Sequence, residues 1–287
     1  MTGAGRGIGR ATVEAFADAG WRAVAGVRDV DAAAEAYAGR DGVHVVRLDV
    51  TEPDSVIAGV REAEGLAGGA LTCLVPNAGY AVMGAVEEVD LDEVRAMFDT
   101  NFLGAVRVIQ AAVPAMREAG RGSVVMVSSV GAHISNQLVG LYHASKFALL
   151  GMTEALAYEL RPFGVRVMSV EPGMVNSEFS KATRRTGAAA NGPILRERAR
   201  AAAVGEGPYA PLAAKMREGY GRWRERYPTG SDEVAREVLA AAQDPDATFQ
   251  RLVGRDSEVL MRLRADAGTD QQAWERAQGD FVGMPWA

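Results

Sequence analysis

A tyrosine and a lysine, Tyr142 and Lys146, lie four positions apart in a stretch with helical periodicity. Residues at this spacing share one face of a helix, so the two side chains are expected to lie side by side. A free phenol has a pKa of about 10 and transfers protons poorly at neutral pH. A nearby ammonium favours the phenolate and lowers that pKa, which suits such a pair to general acid and base chemistry.

Two further observations bear on this pair. Ser129 follows a predicted strand, thirteen residues before Tyr142, and its hydroxyl can hold a carbonyl oxygen beside the phenol. Among the 31 basic residues, lysine occurs only at positions 146, 181 and 215. Because the chain otherwise uses arginine, the lysine at 146 indicates a need for a compact ammonium. An exposed helix pair without chemistry remains the alternative for this spacing taken by itself.

A second feature with chemical meaning is the glycine-rich turn at the start of the chain. Gly3, Gly7 and Gly9 lead directly into a predicted helix. Such a turn lets backbone N–H groups approach a pyrophosphate, and the helix N-terminus adds positive potential. A tight turn without a ligand is the alternative for the glycine spacing alone.

The strand that follows, Ala23 to Val27, indicates which dinucleotide such a turn would hold. The end of this strand approaches the adenosine ribose, where an acidic residue favours NAD. Here the apolar Val27 is followed by Arg28, and Arg6 lies within the glycine turn. Two guanidinium groups suit a 2′-phosphate, so the sequence predicts NADP(H) over NAD(H). Solvated surface arginines, and an Asp29 that binds the ribose, are the alternative.

The elements that must position these residues alternate between strand and helix. Short apolar strands separated by helices indicate a parallel sheet covered on both faces, wound by right-handed crossovers. We therefore expect a Rossmann-like α/β fold in one domain, 1–287, with a substrate-covering helical insertion at 176–228 and a C-terminal extension at 229–287. Thr51 is expected to cap the helix that begins near Pro53. The predicted strands are Ala23–Val27, Val43–Leu48, Leu71–Val75, Ser123–Val127, Val165–Val170 and Phe249–Val253.

Composition excludes several classes of protein. Hydrophobic residues make up 48% and charged residues 24%, which is typical of a globular chain. The net charge of −6 argues against a nucleic-acid partner, and no apolar run approaches the length of a membrane span. One cysteine, Cys73, excludes an intrachain disulfide and a multi-cysteine metal site, and we expect it in the core. With no leader pattern, a cytoplasmic protein without a metal is expected.

Taken in order, the motifs resemble the compact branch of the short-chain dehydrogenase/reductase family over residues 2 to 177. The residues that carry the resemblance are Thr2-Gly3-x-x-x-Gly7-x-Gly9, Asn77-Ala78-Gly79, Asn101, Ser129, Tyr142-x-x-x-Lys146 and Pro172-Gly173.

The resemblance implies roles for four residues in hydride transfer between NADP(H) and a carbonyl or secondary alcohol. Tyr142 would be the catalytic acid and base, and Lys146 would lower its pKa while holding the nicotinamide ribose. Ser129 would orient the substrate oxygen, and Asn101 would kink its helix and hold a relay water. The implied substrate is small and apolar, closest to those of retinol-type or steroid-type reductases, and the implied assembly is a homodimer or homotetramer through the helices of Asn101 and Tyr142.

The resemblance also implies a cofactor cleft. The residues expected there, besides Tyr142 and Lys146, are Thr2, Gly3, Arg6, Gly7, Ile8, Gly9, Arg28, Asp49, Val50, Asn77, Ala78, Gly79, Pro172, Gly173, Val175 and Ser177.

Other residues have plainer interpretations. His133 and His143 are expected on the surface or in loops. The arginines Arg184, Arg185, Arg196, Arg198 and Arg200 are expected on a solvated face, with an anionic substrate as the alternative. Tyr209, Tyr220, Trp223 and Tyr227 are expected either to line an apolar pocket or to pack the covering helices.

The chain departs from the family at three places. Pro76 stands where the family has an asparagine, Ser177 stands where it has a threonine and keeps the hydroxyl, and Met1-Thr2 stand where it has a buried strand. Two residues are too few for that strand, so the flanking strands are expected to leave backbone groups unpaired. We expect the true start upstream, after a short apolar run, and poor solubility or weak NADPH binding of the chain as written. A non-catalytic scaffold and an inactive truncated product remain the alternatives.

Overall fold

A parallel β-sheet forms the centre of the molecule, which is described here as a computed structural model covering residues 1–176, 184–185 and 207–282. The apolar, β-branched composition of the central strands suits burial on both faces. The strands are β1 (Ala23–Val27), β2 (Val43–Arg47), β3 (Cys73–Leu74), β4 (Val82–Met83), β5 (Gly122–Val127), β6 (Val165–Pro172), β7 (Val175–Asn176), β8 (Arg184–Arg185), β9 (Thr229–Gly230) and β10 (Gln250–Val253).

Parallel pairing orders the main strands as β10–β6–β5–β3, with β2 paired to β1 beyond β3. The register sets Val127 opposite Val170, so the carboxyl ends of β5 and β6 meet at one edge. Ligands of open α/β sheets bind at this edge. The short strands form two further parallel pairs near it, β4 with β8 and β7 with β9.

Helices cover both faces of the sheet. They are α1 (Gly7–Asp18), α2 (Val30–Ala36), α3 (Pro53–Ala67), α4 (Leu91–Phe98), α5 (Gly104–Glu118), α6 (Gly140–Leu160), α7 (Ala210–Arg226), α8 (Ser231–Gln243), α9 (Arg255–Ala267) and α10 (Gln271–Val282). On one face α1 packs against β1, and α8 packs against β5 and β6, through side chains such as Phe16 and Val238. On the other face α3, α5 and α6 pack through side chains such as Val108 and Leu149. The doubly wound α/β arrangement predicted from the sequence is therefore present.

The slot between β1 and β3 is bridged by the first two residues of the chain. Gly26 N–H donates to the Met1 carbonyl at 2.8 Å, and Thr2 N–H donates to the Val75 carbonyl at 3.0 Å. The sequence predicted that backbone groups of the flanking strands would lack partners here. Instead, Met1 and Thr2 pair with the strands on both sides at these positions. A cavity of about 100 Å³ remains beside them, lined by residues that include Phe16, Ala23 and Cys73.

Several local predictions differ from the structure. Glu52, not Thr51, precedes α3, because the Thr51 hydroxyl donates to the Asp49 carboxylate at 2.7 Å. Helix α10 was not predicted from the sequence. Cys73 packs against the core as expected, although it is only partly buried and borders the cavity.

Pro76 fits its strand end, since its carbonyl accepts from Val127 N–H at 3.0 Å. No helix within the described residues is long and apolar enough to cross a membrane.

Candidate active site

The side chains of Ser129, Tyr142 and Lys146 lie near the carboxyl end of β5. Ser129 follows this strand, and Tyr142 lies in the first turn of α6, where it forms a hydrogen bond with the Ser129 hydroxyl. The same hydroxyl accepts the N–H of Gly131 at 3.0 Å and contacts the Pro172 carbonyl at 3.4 Å. A serine hydroxyl and a phenol thus lie together at the edge where ligands of this fold bind.

Lys146 lies one helical turn after the tyrosine and is buried. Its ammonium donates to the Val127 carbonyl at 3.3 Å and lies 6.0 Å from the centroid of the Tyr142 ring. Burial lowers the pKa of Lys146 from 10.5 to about 8. The lysine is therefore poised between its charged and neutral forms near physiological pH.

The phenol of Tyr142 has a raised pKa in this structure, contrary to the lowering expected from the lysine. Burial raises this pKa from 10.0 to about 12, the Ser129 hydrogen bond opposes the rise, and the nearby Tyr220 phenol adds to it. The Lys146 ammonium does not offset the burial because it is directed to the Val127 carbonyl. Tyr142 is thus held in its protonated form, as a proton donor requires.

Asn101 lies in a wider turn that joins α4 to α5. Residues Asp99–Leu103 form one π-helical turn, and this is the distortion that the resemblance implies at this helix. The buried Asn101 amide accepts Tyr80 N–H at 3.0 Å, and it donates to the Tyr80 carbonyl at 2.9 Å and to the Ser145 hydroxyl at 3.0 Å. The side chain therefore ties the loop after β3 to α6, and its expected part in holding a water stays a prediction.

The glycine turn has the geometry of an anion cradle. Gly3 and Gly7 have φ values of +63° and +54°, which favour glycine, and a Cβ at Gly9 would overlap the Gly3 carbonyl. The Thr2 hydroxyl accepts N–H groups from Asn77 at 3.0 Å and Ala78 at 3.2 Å. This open turn at the start of α1 fits a pyrophosphate.

The glycine turn lies against the end of β1. A Cβ at Gly5 would be 3.9 Å from the Val27 side chain, and the residues that follow these two, Arg6 and Arg28, are both exposed. The Asp29 carboxylate accepts Ala32 N–H at 3.1 Å and thereby caps α2. The end of this strand is where an adenosine ribose binds in dinucleotide-binding sheets, and the part of Arg6 and Arg28 in holding a cofactor there stays a prediction.

The next strand end supplies Asp49 and Val50. Burial acts to raise the pKa of Asp49, but the two hydrogen bonds from Thr51 and the charge of Arg28 hold it below its usual value. Val50 lies against Gly104 on α5, where a Cβ would approach the Val50 side chain to 2.8 Å. A charged carboxylate beside an apolar side chain can bracket an adenine, as the resemblance implies.

Residues of the predicted cofactor cleft that remain are distributed along the same edge. Ile8 is partly buried in the first turn of α1, and Gly79 lies beside the Asn101 amide oxygen. Pro172 ends β6, Gly173 follows it, and Val175 begins β7. Ser177 and the arginines at 196, 198 and 200 lie outside the described residues. Arg184 and Arg185 lie in β8.

Both histidines near the site have structural partners; His133 lies in a turn, as expected, whereas His143 is buried in α6, contrary to the expectation. His143 is buried, its ring Nδ1–H donates to the Gly131 carbonyl at 2.9 Å, and burial lowers its pKa. His133 pairs with the buried Glu171 carboxylate at 2.8 Å, and Gln250 donates to the same carboxylate at 2.7 Å. The sequence carried no signal for Glu171 beyond its position before Pro172. Both histidines therefore support the turn after Ser129.

An apolar cluster covers this end of the sheet. Tyr220, Trp223 and Tyr227 pack within it, whereas Tyr209 donates to Glu87 at 2.9 Å. In the part of the chain that the structure describes, no group of three acidic, histidine or cysteine residues is placed to hold a metal. The buried members of the cluster, from the loop after Ser129 and from α7, α9 and α10, are Val130, Ile134, Met216, Trp223, Leu260 and Trp274.

Comparison with known proteins gives consistent matches. The family model described as short chain dehydrogenase matches residues 1–188. A 3-alpha-(or 20-beta)-hydroxysteroid dehydrogenase of Mycobacterium tuberculosis is 38% identical over 181 residues, which is 63% of this chain and 69% of that protein. A 3-ketodihydrosphingosine reductase of Bacteroides thetaiotaomicron is 38% identical over 138 residues, 48% of this chain and 51% of that protein.

Solved structures match over most of the chain. A short-chain dehydrogenase from Streptomyces avermitilis has a TM-score of 0.72 and 28% identity, covering 94% of this chain and 96% of that chain. A short chain dehydrogenase from Burkholderia cenocepacia in complex with NADP has a TM-score of 0.69 and 27% identity, covering 95% and 92%. The Rossmann-like, single-domain fold predicted from the sequence is therefore confirmed.

Proposed function

Since the chain belongs to the short-chain dehydrogenase/reductase family of NAD(P)-dependent oxidoreductases, we propose that it moves hydride between NADP(H) and the carbonyl or secondary alcohol of an apolar substrate. The observation that carries this proposal is the group of Ser129, Tyr142 and Lys146 at the carboxyl end of β5. An otherwise inert scaffold would have no need for a buried ammonium one helical turn from a partly buried phenol.

In this proposal Ser129 binds the substrate oxygen, Tyr142 transfers its proton, and Lys146 acts on the tyrosine and the cofactor. When bound, the nicotinamide supplies or accepts the hydride. Ser129 holds the substrate oxygen, and Tyr142, protonated at neutral pH, donates its hydroxyl proton to that oxygen during carbonyl reduction. Lys146 holds the nicotinamide ribose and, when charged, stabilises the phenolate that Tyr142 becomes.

The preference for NADP(H) rests on charge at the end of β1. Arg6 and Arg28 offer guanidinium groups to a 2′-phosphate, while the Asp29 carboxylate is engaged in capping α2. In agreement with this preference, the related structure from Burkholderia cenocepacia is a complex with NADP.

The substrate class rests on the cover of the site. Trp223, Met216 and Leu260 of α7 and α9 are buried in the apolar cluster that covers this end of the sheet, and an apolar cover favours a ligand with a large apolar surface. The relatives named for hydroxysteroids and 3-ketodihydrosphingosine support the same class. We therefore propose a bulky, mostly apolar ketone or secondary alcohol.

We also propose a homodimer or homotetramer that forms through α5 and α6. Apolar side chains on the outer faces of these helices are open to solvent: Leu103 is 43% exposed, Phe147 47% and Tyr158 64%. Large exposed apolar groups on neighbouring helices are typical of an interface between subunits.

Cofactor titration tests the proposal directly. The protein is expected to bind NADPH more tightly than NADH, as read from nicotinamide fluorescence, and to oxidise NADPH in the presence of steroid or long-chain ketones. Equal affinity for NADH and NADPH would contradict the assignment of the arginines.

The double variant Val27→Asp with Arg28→Leu is expected to shift the preference toward NADH. A lost hydrogen bond to a charged group costs about 1.5–3 kcal/mol, so NADPH affinity should fall by at least about tenfold. Arg61→Leu, which removes an exposed arginine from α3, is the matched control and is expected to leave both affinities unchanged.

A further inference from the structure

A buried carboxyl that the proposed reaction does not use lies behind the Pro172–Met174 turn. Asp256, the second residue of α9, has 0% of its surface exposed. Its Oδ2 accepts the Met174 backbone N–H at 2.6 Å and the Trp223 indole N–H at 2.9 Å. One oxygen atom thus joins the turn after β6, helix α7 and helix α9.

The backbone around Asp256 is shaped to admit this carboxyl. A Cβ at Gly173 would overlap both carboxyl oxygens, and a Cβ at Gly254 would lie 2.6 Å from Oδ1. Gly254 also has a φ of +90°, a conformation that favours glycine. Glycines therefore allow the carboxyl to lie directly against the two loops.

Burial at this position is energetically unfavourable for the carboxyl of Asp256. Oδ1 has no hydrogen-bond partner among the described residues, although backbone N–H groups at the start of α9 lie nearby. Burial raises the pKa of Asp256, and the hydrogen bonds from Met174 and Trp223 oppose that rise. An apolar side chain would fill such a site at lower cost, so stability alone does not account for an aspartate here.

The helix held by Asp256 also reaches the catalytic tyrosine. Tyr220 lies one turn before Trp223 on α7, with ring centroids 5.8 Å apart. The Tyr220 phenol lies close enough to Tyr142 to act on its pKa, and it accepts a hydrogen bond from Asn136 at 3.4 Å. A shift of Trp223 would therefore also shift the Tyr220 phenol, which lies near the proton donor Tyr142.

We propose that Asp256 is a positioning residue that fixes the turn Pro172–Met174 through one hydrogen bond and the covering helix α7 through the other. The inference rests on the proposed function, in which the turn contacts the nicotinamide end and α7 covers the substrate. The two hydrogen bonds can be separated by mutation, because Met174 donates from its backbone and Trp223 from its side chain.

Two variants of the carboxyl test the cofactor side. Asp256→Leu removes both acceptors and is expected to raise the Kd for NADPH at least tenfold in a fluorescence titration. Asp256→Asn keeps one oxygen that can accept both N–H groups and is expected to restore the Kd to within about threefold of wild type. A purely structural role would lower the unfolding temperature of both variants without this difference in Kd.

One variant tests the substrate side. Trp223→Phe removes the indole N–H, and we expect KM for the ketone substrate to rise at least fivefold while the Kd for NADPH stays within about twofold. Trp274→Phe is the matched control, since both tryptophans are 5% exposed in the same apolar cluster. It is expected to leave KM unchanged even where it lowers the unfolding temperature.

The outcomes separate the two proposals. Wild-type protein that binds neither NADPH nor NADH overturns the proposed function itself. Wild-type protein that binds NADPH, with a folded Asp256→Leu variant that binds it equally well, overturns the role of Asp256. Should Asp256→Leu fail to fold, Trp223→Phe decides alone, and an unchanged KM in that variant overturns the inference.

Discussion

Burial governs the protonation of the two side chains at the centre of the site. It raises the pKa of Tyr142 to about 12 and lowers that of Lys146 to about 8. The phenol therefore carries its proton at neutral pH, while the lysine is close to losing its own. The lysine in particular makes the stability of the fold depend on pH.

The pH dependence of stability can be assigned to Lys146 with the variant Lys146→Met. Between about pH 8 and 10.5 the unfolded chain binds this proton and the folded protein does not, so the free energy of unfolding rises with pH. Between about pH 7.5 and 9.5, the free energy of unfolding of wild type is expected to rise by about 1–2 kcal/mol relative to that of Lys146→Met. Urea unfolding of both proteins at the two pH values measures this gain. A difference that does not change with pH would rule out the lowered pKa.

At the scale of elements, the π-helical turn and the loop after β3 depend on one amide. Asn101 satisfies both backbone groups of Tyr80 and also reaches Ser145 on α6. Because the side chain is buried, its removal leaves those groups without their partner.

Asn101→Ala is accordingly expected to lower the free energy of unfolding by about 2–4 kcal/mol, at a cost of about 1–3 kcal/mol for each buried group left unpaired. Ser145→Ala, which removes one partner of the amide and leaves the Tyr80 bonds intact, should cost less than half as much. Urea denaturation provides both values. Equal losses in the two variants would mean that Asn101 does not hold the Tyr80 loop.

Sequence patterns predicted elements better than contacts between them. Strands β1, β5 and β6 follow from runs of apolar residues, because burial on both faces leaves a continuous signal. Helix α10 was missed, since few apolar residues, such as Trp274 and Phe281, mark its inner face. The N-cap of α3 was predicted at Thr51, because helix-capping propensity cannot show that the Thr51 hydroxyl donates to Asp49 instead.

Site residues divide in a similar way. Tyr142, Lys146 and Ser129 were predicted from spacing and type, and the structure brings them together. Asp256 and Glu171 were not singled out, because their partners lie up to 82 residues away in the chain. The raised pKa of Tyr142 could not be predicted either, because it arises from burial of the phenol among its neighbours and not from spacing along α6.

At the scale of the whole molecule, the first two residues of the sequence bridge β1 and β3 in the middle of the sheet. The cavity of about 100 Å³ beside them lies between the two halves of the sheet, next to the glycine turn. Cavities in protein cores cost about 24 cal/mol per Å³, which here gives about 2 kcal/mol. The aim of the backbone N–H groups in the glycine turn depends on this same region.

Joining a short apolar segment such as Val-Ala-Leu-Val to Met1 is therefore expected to stabilise the protein. The added residues would extend the parallel pairing into the cavity and raise the free energy of unfolding by about 2 kcal/mol, with tighter NADPH binding. A Ser-Asp-Ser-Asp segment of the same length is the control. If the polar segment stabilises the protein equally, or neither does, the cavity is not a strand site.

The account depends most on Tyr142 as the group that gives and takes the proton of the substrate oxygen. Tyr142→Phe removes only the hydroxyl and keeps the ring that packs on His143 at 5.6 Å. With the ketone that wild type reduces best, turnover of this variant is expected to fall at least about 100-fold, as is typical of a lost general acid. The Kd for NADPH should stay within about twofold of wild type. Turnover close to that of wild type, with NADPH binding intact, would contradict the account.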